Sequence, residues 1–335
     1  MVSVFRDALF FLFDERNRAF RFWIWDCGLW ILREPVNTRN KTTLIVLVTA
    51  LLLGSGCRVD QIGSPERAAV ETTRIVRDDL GREVRVPLKI ERAVSLAPNL
   101  TEMIFAVGAG DRLVGVTTYC NYPAEAQAIQ KVSDTQTPNI ESIIALQPQV
   151  VFVSTASQLE AFMRTLDERG IAVFVTNAGT LDDVYQHLWQ FGDLFGTHQQ
   201  ADLLVDGLQG RVSLVHQKAI RPKPVRVFLQ ISKEPLFTIG KDSLLTEIIS
   251  SAGGTSVTAD VPSGYPKLSK ETASALNPDV IILSDSDDNK EPNDVFRNSA
   301  AVRNGRLYRI DADIISRPGP RSVDALEKIA ELIRQ

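Results

Sequence analysis

A helical pattern of apolar and polar positions extends from His198 to Ile220. No proline interrupts this stretch, and its apolar side chains recur every three or four residues, which places them on one face of a helix. These apolar residues are Ala201, Leu204, Leu208, Val212, Val215 and Ala219. An unbroken helix of this kind would be roughly 34 Å long at ~1.5 Å per residue. The pattern ends at Arg221–Pro224, where neither proline can continue a helix.

Both flanks of this helix carry apolar runs, typical of buried strands, that alternate with helical patterns. Such runs begin at Arg92 and Pro148 before the helix and at Val225 and Pro278 after it. We therefore predict an α/β fold with two Rossmann-like lobes joined by a single long helix. The predicted segments are the N-terminal lobe 74–197, the interlobe helix 198–220 and the C-terminal lobe 221–335. The alternative is an ordinary crossover helix within one domain.

Residues 1–73 follow a different pattern. The segment Thr42–Gly56 is apolar and uncharged, but it is short for a membrane span, which needs about 20 residues. Basic residues precede it and Cys57 follows small residues, as in a bacterial lipoprotein signal. We expect Cys57 to be lipidated, with simple cleavage or an uncleaved anchor as alternatives. Residues 1–56 would then combine the signal peptide with an extension from a misassigned start codon, or with a cytoplasmic extension, and 57–73 would be a flexible tether.

Composition excludes several classes of function. The chain has 335 residues and a formal net charge of -4, so nucleic acid is not indicated as a partner. The cysteines are Cys27, Cys57 and Cys120, which form no C-x-x-C pair and no metal-ligand spacing, so we expect neither a metal site nor a disulfide framework. Gly108 and Gly110 follow a predicted helix instead of opening one, which does not fit a dinucleotide-binding loop. No G-x-S-x-G or H-E-x-x-H motif supports an exported α/β hydrolase, so we predict no catalytic residues and no catalytic cofactor.

The candidate ligand contacts lie on loops. Loops at the carboxyl ends of parallel strands are where α/β sheets bind ligands. The loop Thr117–Pro123 follows a predicted strand, and Tyr119 within it is placed to stack on a flat ligand. Phe237 and Tyr265 are aromatic residues in predicted loops of the second lobe. Glu141 falls in the first turn of a predicted helix, where a carboxylate interacts favourably with the helix dipole, so capping is its default role.

Five segments, spread in order through both lobes, resemble the substrate-binding proteins of ABC importers for cobalamin, haem and iron-siderophores. The resemblance is nearest to the cobalamin branch. The segments are RAVSLAPNLTEMIFAVGAGDRLVGVTTYCNYP, PNIESIIALQPQVVFV, RVFLQISKEPLFTIGKDSLLTEIISSAGG, YPKLSKETASALNPDVIIL and RPGPRSVDALEKIAELI. The resemblance implies a class III periplasmic binding protein, in which the ligand lies in the cleft between the lobes and the rigid joint permits only small closure.

The resemblance also implies roles for particular residues. The implied ligand-binding residues are Pro98, Asn99, Tyr119, Phe237, Tyr265, Arg317 and Arg321. Glu141 corresponds to the first-lobe carboxylate that docks on arginines of the permease. Glu247 is the candidate for the second docking carboxylate, although it lies about one turn of helix from the usual place.

Two departures from the family pattern bear on the ligand. Residues near Thr135 and Ser154 replace two cleft tryptophans of cobalamin binders, which implies weaker stacking or a different corrinoid. The histidines His187, His198 and His216 lie in the helical region between the sheets, which makes haem less attractive.

The expected protein is a monomeric, exported lipoprotein that is anchored to a membrane through its N-terminus. It would capture cobalamin or a related corrinoid and deliver it to the permease dimer and ATPase of an ABC importer. This function needs a shaped cleft and no catalysis. A ferric-siderophore or haem carrier of the same fold is the alternative, since Arg317 and Arg321 also suit anionic siderophores.

Overall fold

The computed structural model describes residues 72–134, 138–154, 160–219 and 222–335, with only the backbone of 160 and 161. The predicted signal segment and the predicted lipidation site Cys57 lie outside these ranges, as does Thr135. Across the described ranges, no helix combines the length and the apolar character needed to cross a bilayer.

The described chain begins with a β-hairpin made of β1 (Thr73–Arg77) and β2 (Glu83–Pro87), which pair antiparallel. Asp78, in the turn, accepts hydrogen bonds from Nε and Nη2 of Arg82 at 2.9 and 2.7 Å. Arg82 also donates to the carbonyl of Val173 at 3.0 Å. These bonds attach the hairpin to the first lobe.

A five-stranded parallel sheet forms the first lobe, in the order β5-β4-β3-β6-β7. Its strands are β3 (Ala93–Ser95), β4 (Leu113–Thr117), β5 (Lys131–Ser133), β6 (Val150–Ser154) and β7 (Ala172–Thr176). Its helices are α1 (Pro98–Ala106), α2 (Ile140–Ala145), α3 (Glu160–Asp167) and α4 (Leu181–Phe195). Strands with continuous apolar runs, such as β6, are buried on both faces, as a parallel sheet covered by helices requires.

The predicted long helix is α5 (His198–Ala219), which has 22 residues. Its buried residues are Ala201, Val205, Leu208 and Val215. Leu204 and Val212, which belong to the predicted apolar face, are only partly buried. The buried stripe thus differs from the predicted one, and helices of both lobes pack on α5.

The second lobe contains another five-stranded sheet, in which β10-β8-β11-β12 are parallel and β9 pairs antiparallel with β8. The strands are β8 (Val225–Ser232), β9 (Phe237–Thr238), β10 (Gly254–Ser256), β11 (Val280–Asp285) and β12 (Leu307–Asp311). The helices are α6 (Leu244–Ser251), α7 (Lys270–Ser274), α8 (Ala300–Arg303), α9 (Ala312–Ile315) and α10 (Ser322–Leu332).

One apolar cluster runs through both lobes and α5. It includes Met103 of the first lobe, Val205 of α5 and Leu326 of the second lobe, all almost fully buried. Two smaller clusters cover the outer faces of the sheets, one in each lobe. Two lobes with largely parallel sheets on a single long helix confirm the predicted α/β fold class, and the shared cluster joins the described parts of both lobes into one compact unit.

Candidate ligand site

The loop Thr117–Pro123 presents Tyr119 at the carboxyl end of β4. Cys120 anchors this loop: its buried Sγ lies 3.2 Å from the hydroxyl oxygens of Thr101 and Thr117. Because the neighbouring residue is fixed in the core, the backbone of the loop is held while 57% of the surface of Tyr119 stays exposed. The loop therefore presents the side chain of Tyr119 as an exposed aromatic surface on a fixed backbone.

In the second lobe, Tyr265 is exposed in a similar way, with 49% of its surface accessible. Its loop is held against the segment that follows β9, because the Gly240 N–H donates a hydrogen bond to the Gly264 carbonyl at 2.9 Å. A Cβ at Gly240 would lie 2.1 Å from the carbonyl oxygen of Ser263, so only glycine permits this close approach. Phe237 is half-buried in β9 and offers less of its ring than Tyr265.

Pro98 and Asn99 form the first turn of α1. Pro98 is half-buried and Asn99 is buried, so neither projects as openly as Tyr119. A Cβ at Gly319, in the second lobe, would lie 3.8 Å from the carbonyl oxygen of Asn99. The start of α1 therefore lies at the boundary between the lobes.

Arg317 and Arg321 both pair with carboxylates of the protein. Arg317 Nη1 donates to Glu102 Oε1 at 2.9 Å, and Nη2 lies 2.6 Å from Asp313 Oδ1. Arg321 donates to both oxygens of Glu102, at 2.8 Å from Nε and 2.5 Å from Nη2. The side chains of Glu102 and Arg317 are 1% and 8% exposed. We call these four residues the interlobe ion network; its two guanidinium groups face two carboxylates, so its formal charge is zero.

The same arginines contact the Tyr119 loop. Arg317 donates to Asn121 Oδ1 at 2.7 Å and to the backbone carbonyl of Tyr119 at 3.3 Å. The guanidinium carbon of Arg321 lies 4.3 Å from the centre of the Tyr122 ring, within cation–π range. The interlobe ion network thus holds a first-lobe loop with side chains from the second lobe.

The two predicted docking carboxylates occupy different environments. Glu141 is exposed in the first turn of α2, after its N-cap Asn139, which accepts a hydrogen bond from the N–H of Ser142 at 3.0 Å. Glu247 is half-buried and accepts a hydrogen bond from the N–H of Leu181, in the first lobe, at 3.0 Å. Burial raises the pKa of Glu247. Glu247 therefore serves an interlobe contact.

Glu271 corresponds to Glu141 by position. It is exposed and follows the N-cap Ser269 of α7, as Glu141 follows its own N-cap. In each lobe the short helix then leads to a left-handed residue and a proline, Gln147–Pro148 in the first and Asn277–Pro278 in the second. The backbone N–H of Glu271 and the Ser269 hydroxyl lower the pKa of Glu271. The repeated helix–proline–strand join was the signal that could have identified it.

The three histidines lie on α4 and α5 and not on the loops that carry the tyrosines. His187 is buried, with Nε2 2.6 Å from Asp79 Oδ2. His198 pairs with Asp193 at 2.5 Å. Ser154, one of the two positions at which the family pattern changes, is the last residue of β6.

The described chain thus consists of two α/β lobes on one long helix, each lobe with an exposed tyrosine on a fastened loop. The family model for the periplasmic binding proteins matches residues 94–314, which is more than half of the chain. A relative from Bacillus subtilis (strain 168), the uncharacterized ABC transporter substrate-binding lipoprotein YvrC, is 31% identical over 299 residues, which cover 86% of this chain and 95% of the relative.

Solved structures give the same result. The periplasmic vitamin B12 binding protein BtuF of Vibrio cholerae matches with a TM-score of 0.66 and 27% sequence identity. The matched region covers 74% of this chain and 98% of the BtuF chain. The periplasmic heme-binding protein RhuT from Roseiflexus sp. RS-1 matches with a TM-score of 0.65 and 23% identity, over 73% of this chain and 98% of the RhuT chain. At this identity the match shows a similar fold and nothing more. The chain belongs to the periplasmic binding protein family, and it is a substrate-binding protein of the ABC-importer class.

Proposed function

We propose that the chain captures a corrinoid, cobalamin or a close relative, between its two lobes and delivers it to an ABC importer. The observation that carries this proposal is the pair Tyr119 and Tyr265, one on each lobe, which expose ring faces on loops whose backbones are held. Ring faces of this kind bind flat, largely apolar ligands by stacking and area burial. The likeness to a vitamin B12 binding protein supports the same ligand class.

The charge of the site also favours a corrinoid over an anionic chelate. A polyanionic siderophore needs guanidinium or ammonium groups that are free to bind it. Arg317 and Arg321 already donate to Glu102 and Asp313. Cyanocobalamin carries no net charge, so its binding does not require free guanidinium groups.

Haem is the second candidate, because an exposed tyrosine oxygen is a known axial ligand of haem iron. Tyr119 and Tyr265 each offer one. The Tyr→Phe variants separate the two ligands, since phenylalanine keeps the stacking face but removes the oxygen. Corrinoid binding would survive Tyr119→Phe and Tyr265→Phe, whereas haem binding through a phenolate would be lost in one of them.

For delivery, we propose that Glu141 and Glu271 dock on basic residues of the permease, one from each lobe. Their exposure and equivalent positions support this pairing, in which Glu271 takes the place that the sequence resemblance gave to Glu247. Complementary charges of this kind raise association rates and fix the orientation of two proteins. A monomer with one carboxylate on each lobe would suit a permease dimer, which presents two equivalent subunits.

We further propose that the protein is exported, that its lipidated Cys57 anchors it to a membrane, and that it acts without catalysis. Membership of the periplasmic binding proteins and the lipoprotein relative support export and anchoring. A carrier of this class binds and releases its solute unchanged, so no catalytic group is required.

The first test is calorimetric titration of the full chain, purified in detergent, with cyanocobalamin, haem and a ferric tris-catecholate chelate. Saturable binding of cyanocobalamin with one site per chain is the expected result. Binding of haem alone would move the protein to the haem branch, and binding of the chelate alone to the siderophore branch. Failure to bind cyanocobalamin would reject the corrinoid assignment.

A further inference from the structure

Glu102 is a buried carboxylate whose two oxygens are both occupied. It lies on α1 of the first lobe and accepts three hydrogen bonds from Arg317 and Arg321 of the second lobe. Taking a carboxylate out of water is costly unless the charge is paired and hydrogen-bonded, and here both conditions are met. Because its side chain is only 1% exposed, Glu102 acts on its surroundings through the two arginines.

Besides Glu102, the two arginines contact the loop that carries Tyr119. Arg317 bonds the backbone carbonyl of Tyr119 and the side chain of Asn121, and Arg321 lies against the ring of Tyr122. Asn121 also donates to Asp313 Oδ2 at 2.8 Å, which adds a further link from the loop to the second lobe. These contacts connect α1 of the first lobe to the arginines of the second lobe, and the arginines in turn to the Tyr119 loop of the first lobe.

From these contacts we infer that Glu102 is a positioning and specificity-determining residue of the ligand site. It orients Arg317 and Arg321 so that they hold the Tyr119 loop, and it neutralises them so that they do not serve as anion receptors. The arginines that the family resemblance assigns to the ligand thus act on the loop. This inference rests on the proposed function, because it takes Tyr119 as a ligand contact.

Two variants change the formal charge of the interlobe ion network in opposite directions, so the inference predicts opposite changes in their preference for anionic ligands. Glu102→Gln keeps the shape of the side chain but leaves the interlobe ion network with a formal charge of +1, and one guanidinium loses its anionic partner. Arg321→Gln leaves the network at −1. A residue that merely supports the fold would weaken the binding of every ligand together, whatever the ligand's charge.

The experiment compares the full-length wild type with Glu102→Gln, Arg321→Gln and the control Glu125→Gln. Glu125 is an exposed carboxylate that follows the same loop, so its substitution makes the same chemical change outside the network. The probes are cyanocobalamin, which is neutral, and haem, whose propionates are anionic. Affinities are measured by calorimetry, and the quantity of interest is the ratio of the two dissociation constants.

In Glu102→Gln we expect the ratio of the two dissociation constants to shift about tenfold in favour of haem. In Arg321→Gln the ratio should shift against haem, and in Glu125→Gln it should not change. Equal losses for both probes, or shifts of the same sign in the two variants, would overturn the inference. If Glu102→Gln does not fold, the double variant with Arg321→Gln replaces it; its network is neutral again, so the ratio should return toward the wild-type value.

A readout without ligand separates this inference from the proposed function. The chain is labelled with fluorotyrosine, and Tyr119→Phe identifies the ¹⁹F resonance of Tyr119. Glu102→Gln should shift or broaden this resonance, whereas Glu125→Gln should leave it in place. If the wild type binds no cyanocobalamin but the resonance moves as expected, the ligand assignment fails and the positioning role stands. If the resonance does not move, the positioning role fails whatever the ligand.

Discussion

Replacing Tyr119 with alanine removes a ring from the proposed site without removing the anchors of its loop. The contact from Arg317 goes to the backbone carbonyl of Tyr119, and the neighbouring Cys120 remains fixed between threonine hydroxyls. The thermal stability of the protein should therefore change little, since the lost side chain is mostly exposed. Its affinity for cyanocobalamin should fall.

The size of the effect follows from the exposed area. A large aromatic side chain buries about 150–250 Å² in all. Since Tyr119 exposes 57% of its surface, a ligand can cover roughly 100 Å² more. At ~25 cal/mol per Å² this gives at most about 2.5 kcal/mol, and about 1.3 kcal/mol if the ligand covers half of the exposed ring. We expect the dissociation constant to rise about tenfold, with an upper limit of about 70-fold.

Calorimetry of the full chain with cyanocobalamin measures this change, and thermal unfolding checks that the variant is folded. Tyr119→Phe is the matched control, because it keeps the ring and should bind within about twofold of the wild type. Tyr265→Ala should show a loss of similar size, because its exposure is similar. Unchanged affinity in a well-folded Tyr119→Ala variant would contradict the placement of this ring in the site.

Three further predictions test other parts of the molecule. Glu141→Arg or Glu271→Arg should leave cyanocobalamin binding intact and reduce cobalamin uptake at least tenfold in cells that carry the cognate permease, because each reverses a docking charge; normal uptake in both would reject docking. Cys57→Ala should move the protein from the membrane fraction to the soluble fraction in cell fractionation. Hydrogen bonding to Arg211 lowers the pKa of Glu327, so this pair stabilises the fold above the ordinary glutamate pKa and loses that contribution as the pH falls through the lowered value. Urea unfolding should accordingly show a stability difference between wild type and Arg211→Gln at pH 7 that shrinks as the pH falls below the ordinary glutamate pKa and through the lowered value.

The two-lobed architecture was accessible from the sequence because local signals specify it. The apolar periodicity and the prolines after Ile220 predicted a helix that the structure places at His198–Ala219. Apolar runs that begin after Pro148 and Pro278 predicted strands that are observed as β6 and β11. These features depend on residues close together in the chain, so a single sequence is sufficient to read them.

The interlobe contacts were not accessible in that way. Glu102 lies within α1 and no local pattern indicates its role, because its partner Arg321 lies 219 residues further along the chain. Glu247 was assigned to docking, but its acceptor role toward Leu181 depends on how the two lobes pack. Glu271 could have been found, because the helix–proline–strand join repeats in both lobes and marks its equivalence to Glu141.

The interlobe contacts also determine how far the lobes can separate. A small opening would pull Glu102 away from Arg321 before water could replace the lost hydrogen bonds, and an unpaired buried charge costs about 3–5 kcal/mol. A large opening would let water in, but it would also expose the apolar cluster that crosses the lobes through Val205. Exposing two such side chains costs about 3–6 kcal/mol, so either state would be populated below about 1%. If the proposed function holds, the ligand therefore meets a cleft that is already near its bound shape, and we expect its residence time to depend on contacts such as Tyr119 more than on closure of the lobes.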